Sequence, residues 1–208
     1  MYLIEGEVMF TINNQPTHTY EVNKSVFITY MYHVESIKEA NKILDDLRNQ
    51  YPDATHHVSA YLIGNSGQFG KMNDDGEPSG TSGAPVFDVL RKNNLTNTMC
   101  VVIRYFGGIK LGAGGLVRAY SKAASECLKL ANIVPIIEYS LIKLEFSYSY
   151  LTQIEKLLTN YEIINREFTS NITLTIKIPT SDISLLEALI KQISYSQIIL
   201  TILPKNEE

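Results

Sequence analysis

The chain of 208 residues has only two cysteines, Cys100 and Cys127. That is too few for the disulfide framework that holds small secreted folds together. Positive charge is also scarce, with 18 Lys and Arg against 22 Asp and Glu, a net charge of -4. The balance excludes a globally basic nucleic-acid coat protein but leaves room for a local basic patch. Long apolar runs are missing too. Met99–Ile103 reaches only five residues, where a membrane span needs ~20. The stretch Met1 to Phe10 carries Glu5 and Glu7 and no basic segment, so no secretory signal is expected. These absences lead us to expect a reduced, cytoplasmic protein that does not enter a membrane. What is present suffices for a core: 45% hydrophobic and 19% charged residues, in a length that suits one large domain or two small ones.

Tyr2 to about Tyr32 is rich in Val, Ile, Thr, Tyr and Phe and breaks at Asn13-Asn14-Gln15-Pro16, which predicts strands joined by a turn. Ser36-Ile-Lys-Glu39 is a capping-box pattern, and Ile37, Ala40, Leu44 and Leu47 then recur at helical spacing up to Tyr51-Pro52. A strand is expected from about His57, then a polar loop from Gly64 to Gly80. A loop of that length rarely occurs in a compact domain without a use. A short helix over Thr81 to Lys92 and a buried strand over Thr98 to Tyr105 follow. The glycine-rich stretch Gly107 to Gly115 then feeds the longest helix, about Gly115 to Ala131.

Pro135 marks the expected boundary, with a first domain over residues 1–133 and a second over 136–204. The second has a strand with Ile142, Leu144 and Phe146, a helix, strands Glu162 to Phe168 and Ile172 to Ile178, another helix, and a strand Gln197 to Leu203. That βαββαβ order is the ferredoxin-like arrangement, so the fold class is α+β. The tail Lys205 to Glu208 is expected to fray.

The glycine loop is the strongest local signal. Glycines let backbone amides approach an anion, and the first turn of a helix adds partial positive charge. Between Thr98 and Ala131 stand five basic residues, Arg104, Lys110, Arg118, Lys122 and Lys129, against the single acid Glu126. Arg104, Lys110 and Arg118, with Gly107, Gly108, Gly112, Gly114 and Gly115, are therefore the candidate anion or RNA site. The simpler alternative is that these glycines only permit a tight turn and close helix–strand packing. A Walker loop is absent, and a Rossmann fingerprint would need glycine where Val117 stands, so no nucleotide cofactor is expected.

A second cluster, Asn73 to Gly83, holds Asp74, Asp75, Glu77, Ser79, Thr81 and Ser82. The carboxylates could take a hard cation, but their spacing is too short and irregular, so no metal is expected. The hydroxyls fit helix capping better than nucleophilic catalysis, because Gly80-Thr-Ser-Gly-Ala84 lacks the last glycine of a nucleophile elbow. His56 and His57, adjacent at a strand start, should point to opposite faces. One of them, facing the loop at Gly76, could bind phosphate or act as an acid or base, and His56 should open toward a groove formed by the two glycine-bearing loops.

Asp74-Asp-Gly-Glu-Pro-Ser-Gly-Thr-Ser-Gly83 and Val101-Val-Ile-Arg-Tyr-Phe-Gly-Gly-Ile-Lys-Leu-Gly-Ala-Gly-Gly-Leu-Val-Arg-Ala-Tyr120 resemble the signature of the IMPACT/YigZ family. Lys24-Ser-Val-Phe-Ile28 and Ala54-Thr-His56 are similar to its remaining marks, so the resemblance spans about residues 10–131. It implies a first domain like the second domain of small-subunit ribosomal protein five, and a second like the last domain of elongation factor G. It implies association with regulation of translation; bacterial members have no settled biochemical activity. The chain departs from the family at Val58, where many members carry cysteine. The extra N-terminal domain through which eukaryotic members reach their partner is not expected here, so that partner is not carried over. The expected function is thus a translation-associated binding protein that contacts RNA or the ribosome, without DNA sequence readout. The alternative is an enzyme acting on a phosphorylated small molecule or nucleotide. A pure interaction scaffold has no positive mark.

Overall fold

The computed structural model describes residues 8–194 and 197–204. The strand expected from Tyr2 lies partly outside the described residues, as does the frayed tail at 205–208. The chain divides into two compact units, residues 1–136 and 137–208.

In the first unit the elements run β1 (Phe10–Ile12), β2 (Thr17–Val22), β3 (Ser25–His33), α1 (Ile37–Gln50), β4 (His56–Ile63), β5 (Phe69–Asn73), α2 (Gly83–Lys92), β6 (Thr98–Tyr105), α3 (Gly112–Leu128) and β7 (Ile133–Pro135). Strands β2-β3-β6-β4-β5 form one sheet in that order, with every neighbouring pair antiparallel. Helices cover both faces. Phe27, Met31, Val58, Cys100 and Val102 pack under α2 and α3, while Tyr61, Met99, Val101 and Ile103 pack with Ala40 and Leu47 of α1. Sandwiched in this way, β4 and β6 bury nearly every side chain, which explains the unbroken apolar run of β6.

Helix α1 begins as its sequence predicts. The Ser36 hydroxyl accepts from the Glu39 amide, although the Glu39 carboxylate accepts from the Glu35 amide rather than from Ser36 itself. Two expectations need correction. The stretch Gly64 to Gly80 is not all loop, since β5 lies inside it and pairs with β4. As an edge strand exposed on both faces, β5 has no apolar alternation to betray it. The boundary expected at Pro135 falls at the end of strand β7, which pairs with β1 and belongs to the first unit.

The second unit runs β8 (Tyr139–Phe146), α4 (Leu151–Leu157), β9 (Glu162–Phe168), β10 (Ile172–Pro179), α5 (Ile183–Ser194) and β11 (Ile199–Ile202). Its sheet order is β11-β8-β10-β9, wholly antiparallel. Ile142, Leu144, Phe146, Ile172, Leu174 and Ile176 bury one face against Ile154, Leu186 and Ile190 of the helices. The alternation in β8 and β10 reflects this single covered face. Among the described residues no helix is long and apolar enough to cross a membrane.

Strands β2 and β3 join through a two-residue turn in which Asn23 and Lys24 both have positive φ, 47° and 62°. That geometry matches the twist of a two-residue hairpin. Gly107 rests directly on this turn, and a Cβ there would fall 2.0 Å from the Lys24 carbonyl carbon. Gly107→Ala must therefore displace the hairpin, at an expected cost of ~1–3 kcal/mol or more. Gly114, whose Cβ would meet only Arg118 Nη1 at 3.6 Å, should accept Ala with a neutral effect or a gain of about 0.4–1 kcal/mol. Urea unfolding of the two variants checks this order.

Candidate functional site

The antiparallel register sets Phe27 of β3, Arg104 of β6 and His56 of β4 side by side in one row across three strands. They share the sheet face covered by α2 and α3. Above the row lies Glu77. Its Oε1 accepts from Arg104 Nη1 at 2.6 Å and from the Tyr120 hydroxyl at 2.7 Å, with His56 Nε2 at 3.8 Å. Arg104 is 4% exposed and Glu77 8%, so this is a buried ion pair. Arg104 Nη2 also donates to the Ser25 hydroxyl, which accepts from the Gly107 amide as well. Burial and the adjacent carboxylate push the Tyr120 phenol far above its ordinary pKa, so it stays a proton donor to Glu77.

The remaining acids of the cluster go to separate partners. Asp74 caps α2 from a distance: its Oδ1 accepts from the Ser82 hydroxyl and from the Ser82 and Gly83 amides, and its Oδ2 from the Gly80 amide. Burial alone would raise the Asp74 pKa, but these hydrogen bonds outweigh it and hold it below the ordinary value. Asp75 accepts from Arg48 of α1 at 2.9 Å and from the His57 amide at 2.7 Å. The three carboxylates thus diverge, and among the described residues no group of three or more His, Cys, Asp or Glu side chains is placed to hold a metal ion. The hydroxyls do not cap α2. Ser82 donates to Asp74, Thr81 donates to the Pro78 carbonyl, and Ser79 is exposed.

The histidines part company. His56 Nδ1 donates to the Asp75 carbonyl at 2.8 Å, and its ring lies against Gly76. That bond leaves Nε2 toward Glu77. His57 is buried on the α1 side beside Ile103, burial lowers its pKa, and its Nε2 has no hydrogen-bond partner.

The two loops meet at a cavity of about 310 Å³, with Glu77 and Pro78 on one side and Phe106, Lys110 and Leu111 on the other. Arg104 also lines it, with Gly112 and Ala113 at the start of α3. No side chain caps that helix and no acid stands in its first turn, so its leading amides lack intrahelical partners. Gly112 has φ +70°, a conformation that favours glycine at this entry. The expectation that Arg104, Lys110 and Arg118 converge on one point is not met. Helical periodicity turns Gly115, Arg118 and Lys122 to a neighbouring cavity of about 310 Å³ shared with Tyr20 and Asn23 of the hairpin. Lys122 Nζ sits 4.8 Å from the Tyr20 ring centroid there. Gly108 has open space around it.

Sequence reasoning passed over Arg48, Ser25 and the Tyr120 hydroxyl. A tyrosine in an apolar stripe needs a polar partner once buried, which was the available hint for Tyr120. Arg48 and Ser25 gave no such signal.

Fold and site together define a two-domain α+β protein whose first domain joins two glycine-bearing loops over a buried Glu–Arg pair. Residues 23–128 match the family described as the Impact N-terminal domain. The chain is 42% identical over 161 residues to IMPACT family member YvyE of Bacillus subtilis, covering 76% of this chain and 73% of that protein. It is 35% identical over 192 residues to an IMPACT family member of Haemophilus influenzae, covering 90% and 93%. A crystal structure described as that of a hypothetical protein shares 30% identity with a TM-score of 0.63, covering 96% of this chain and 99% of that one. This chain belongs to the IMPACT family.

Two tests follow from the geometry. Arg104→Ala strands the Glu77 carboxylate and should cost ~3–5 kcal/mol, whereas Arg104→Met with Glu77→Leu should cost clearly less than the two single changes added together. Denaturant titration of the cycle reads this. Asp74→Ala should cost about 0.5–2 kcal/mol at pH 7 as a lost cap. The folded pKa of Asp74 is depressed, so its stabilisation is complete above the unfolded value of ~3.9 and fades as pH falls through the folded one. The gap between wild type and Asp74→Ala should hold from pH 7 to 5 and close below pH ~4 in urea titrations.

Proposed function

We propose that this protein is a translation-associated binding protein of the cytoplasm that contacts RNA phosphates, on the ribosome or free, through the basic rim of its first domain. The observation that carries the reading is the opening of α3. Its uncapped, acid-free first turn stands between two cavities, one carrying Lys110 and the other Arg118 and Lys122. Partial charge at a helix N-terminus and full charges beside it favour phosphate, and such contacts give affinity without base readout. Membership of the IMPACT family, through the association with translation that the resemblance implies, supports the same reading.

The geometry changes which residues should make the contact. Arg104 is committed to Glu77 and buried, so its removal would test folding rather than binding. Lys110, Arg118 and Lys122 are the contacts to test. Replacing all three with Ala should weaken co-sedimentation with ribosomal subunits at low salt and leave thermal unfolding nearly unchanged. It should also flatten the dependence of log K on log salt by about 0.7 for each lost contact to a single strand. Unaltered association at low salt would overturn the proposal. A phosphorylated small molecule is the second reading, favoured by the small volume of the cavity at Glu77, about 310 Å³, and its binding would respond weakly to salt.

A further inference from the structure

We infer that the cavity between the two loops takes one unpaired nucleotide, so that the RNA contacted is single-stranded; this rests on the proposed RNA-binding reading and deepens it. Phe106 is the observation that separates the cavity from a bare phosphate site. Of three aromatic residues near the glycine loop, Tyr120 is fully buried and Tyr105 donates to Asp53. Phe106 is 46% exposed on the cavity wall, an apolar ring left in solvent beside a glycine-rich loop. Its backbone is fixed, since its amide donates to the Thr55 hydroxyl, and the Arg104 guanidinium lies 5.5 Å from its ring centroid. A flat surface held in this way suits a base, because every base has a π-face and stacks on aromatic rings or guanidinium planes.

The rest of the lining completes the match. Lys110 supplies a cation for the phosphate at one end of the cavity. Glu77 and Arg104 also line the cavity, but they are paired with each other and form its floor. Pro78, Leu111 and Leu116 give the apolar walls. A volume of about 310 Å³ lies at the lower end of small-ligand sites, ~300–1,000 Å³. It admits one nucleotide and no duplex.

The test is fluorescence anisotropy with a labelled RNA dodecamer, single-stranded or annealed to its complement, on the full chain at low salt. The single strand should bind at least tenfold more tightly than the duplex. Phe106→Ala should weaken single-strand binding about five- to 150-fold, the range for one lost base stack. Its salt slope should stay unchanged, because no phosphate contact is removed. Phe106→Tyr should stay within about threefold of wild type, which separates stacking from a folding defect. Equal binding of duplex and single strand, or no effect of Phe106→Ala, would overturn the inference. If in that case binding still depended on Lys110, Arg118 and Lys122, the broader RNA reading would stand. Wild-type protein that bound neither RNA would end both.

Discussion

A single buried carboxylate organises the first domain. Glu77 comes from a loop, yet it ties that loop to the central strand through Arg104 and to the longest helix through Tyr120. A charge out of water is tolerable only when its partners are close and well oriented. The loop between Asp74 and Gly83 is therefore tied both to the sheet beneath it and to α3. Position follows from this: the cavity wall contributed by Glu77 and Pro78 is fixed with respect to Phe106 and the start of α3. Each partner already belongs to a packed element, so little of its freedom remains to be lost when a ligand enters.

An acidic protein acquires a basic face by consuming its acids internally. Asp74 is used in capping a helix, Asp75 in joining the loop to α1, and Glu77 in the buried pair. Lys110, Arg118 and Lys122 stand in no ion pair among the described residues, so their charge is directed outward. Net charge is thus a poor guide to the potential at a surface. What matters is which charges have found partners inside the fold.

The sequence displays elements whose pattern comes from a local environment. Strand β6 reads as buried because both its faces are covered, β10 alternates because only one is, and Ser36 announces a helix start through a bond to its own neighbourhood. The two-domain α+β class follows from those signals. Hidden features depend on register or on distance along the chain. His56 and Arg104 lie 48 positions apart in number and become neighbours only through the β4–β6 pairing. Asp74 caps a helix beginning nine residues later, beyond the reach of any local capping pattern. Edge strand β5 has no buried face to impose a period. Among candidate site residues, those in the two loops could be named from composition, but the divergence of Arg118 from Arg104 required the helix start to be fixed at Gly112.

The pairing of β1 with β7 has a consequence for how the protein is made. Phe10 finds its partner in Pro135, at the far end of the first unit. During synthesis from the N-terminus, β1 must wait until residue 135 has left the ribosome before its ladder can form. The strands of the five-stranded sheet end at Tyr105, so their ladders can form earlier, before α3 covers one face. This two-stranded ribbon is then the last strand pairing of the first unit to become possible. It can form before β11, the last strand of the second unit, has emerged.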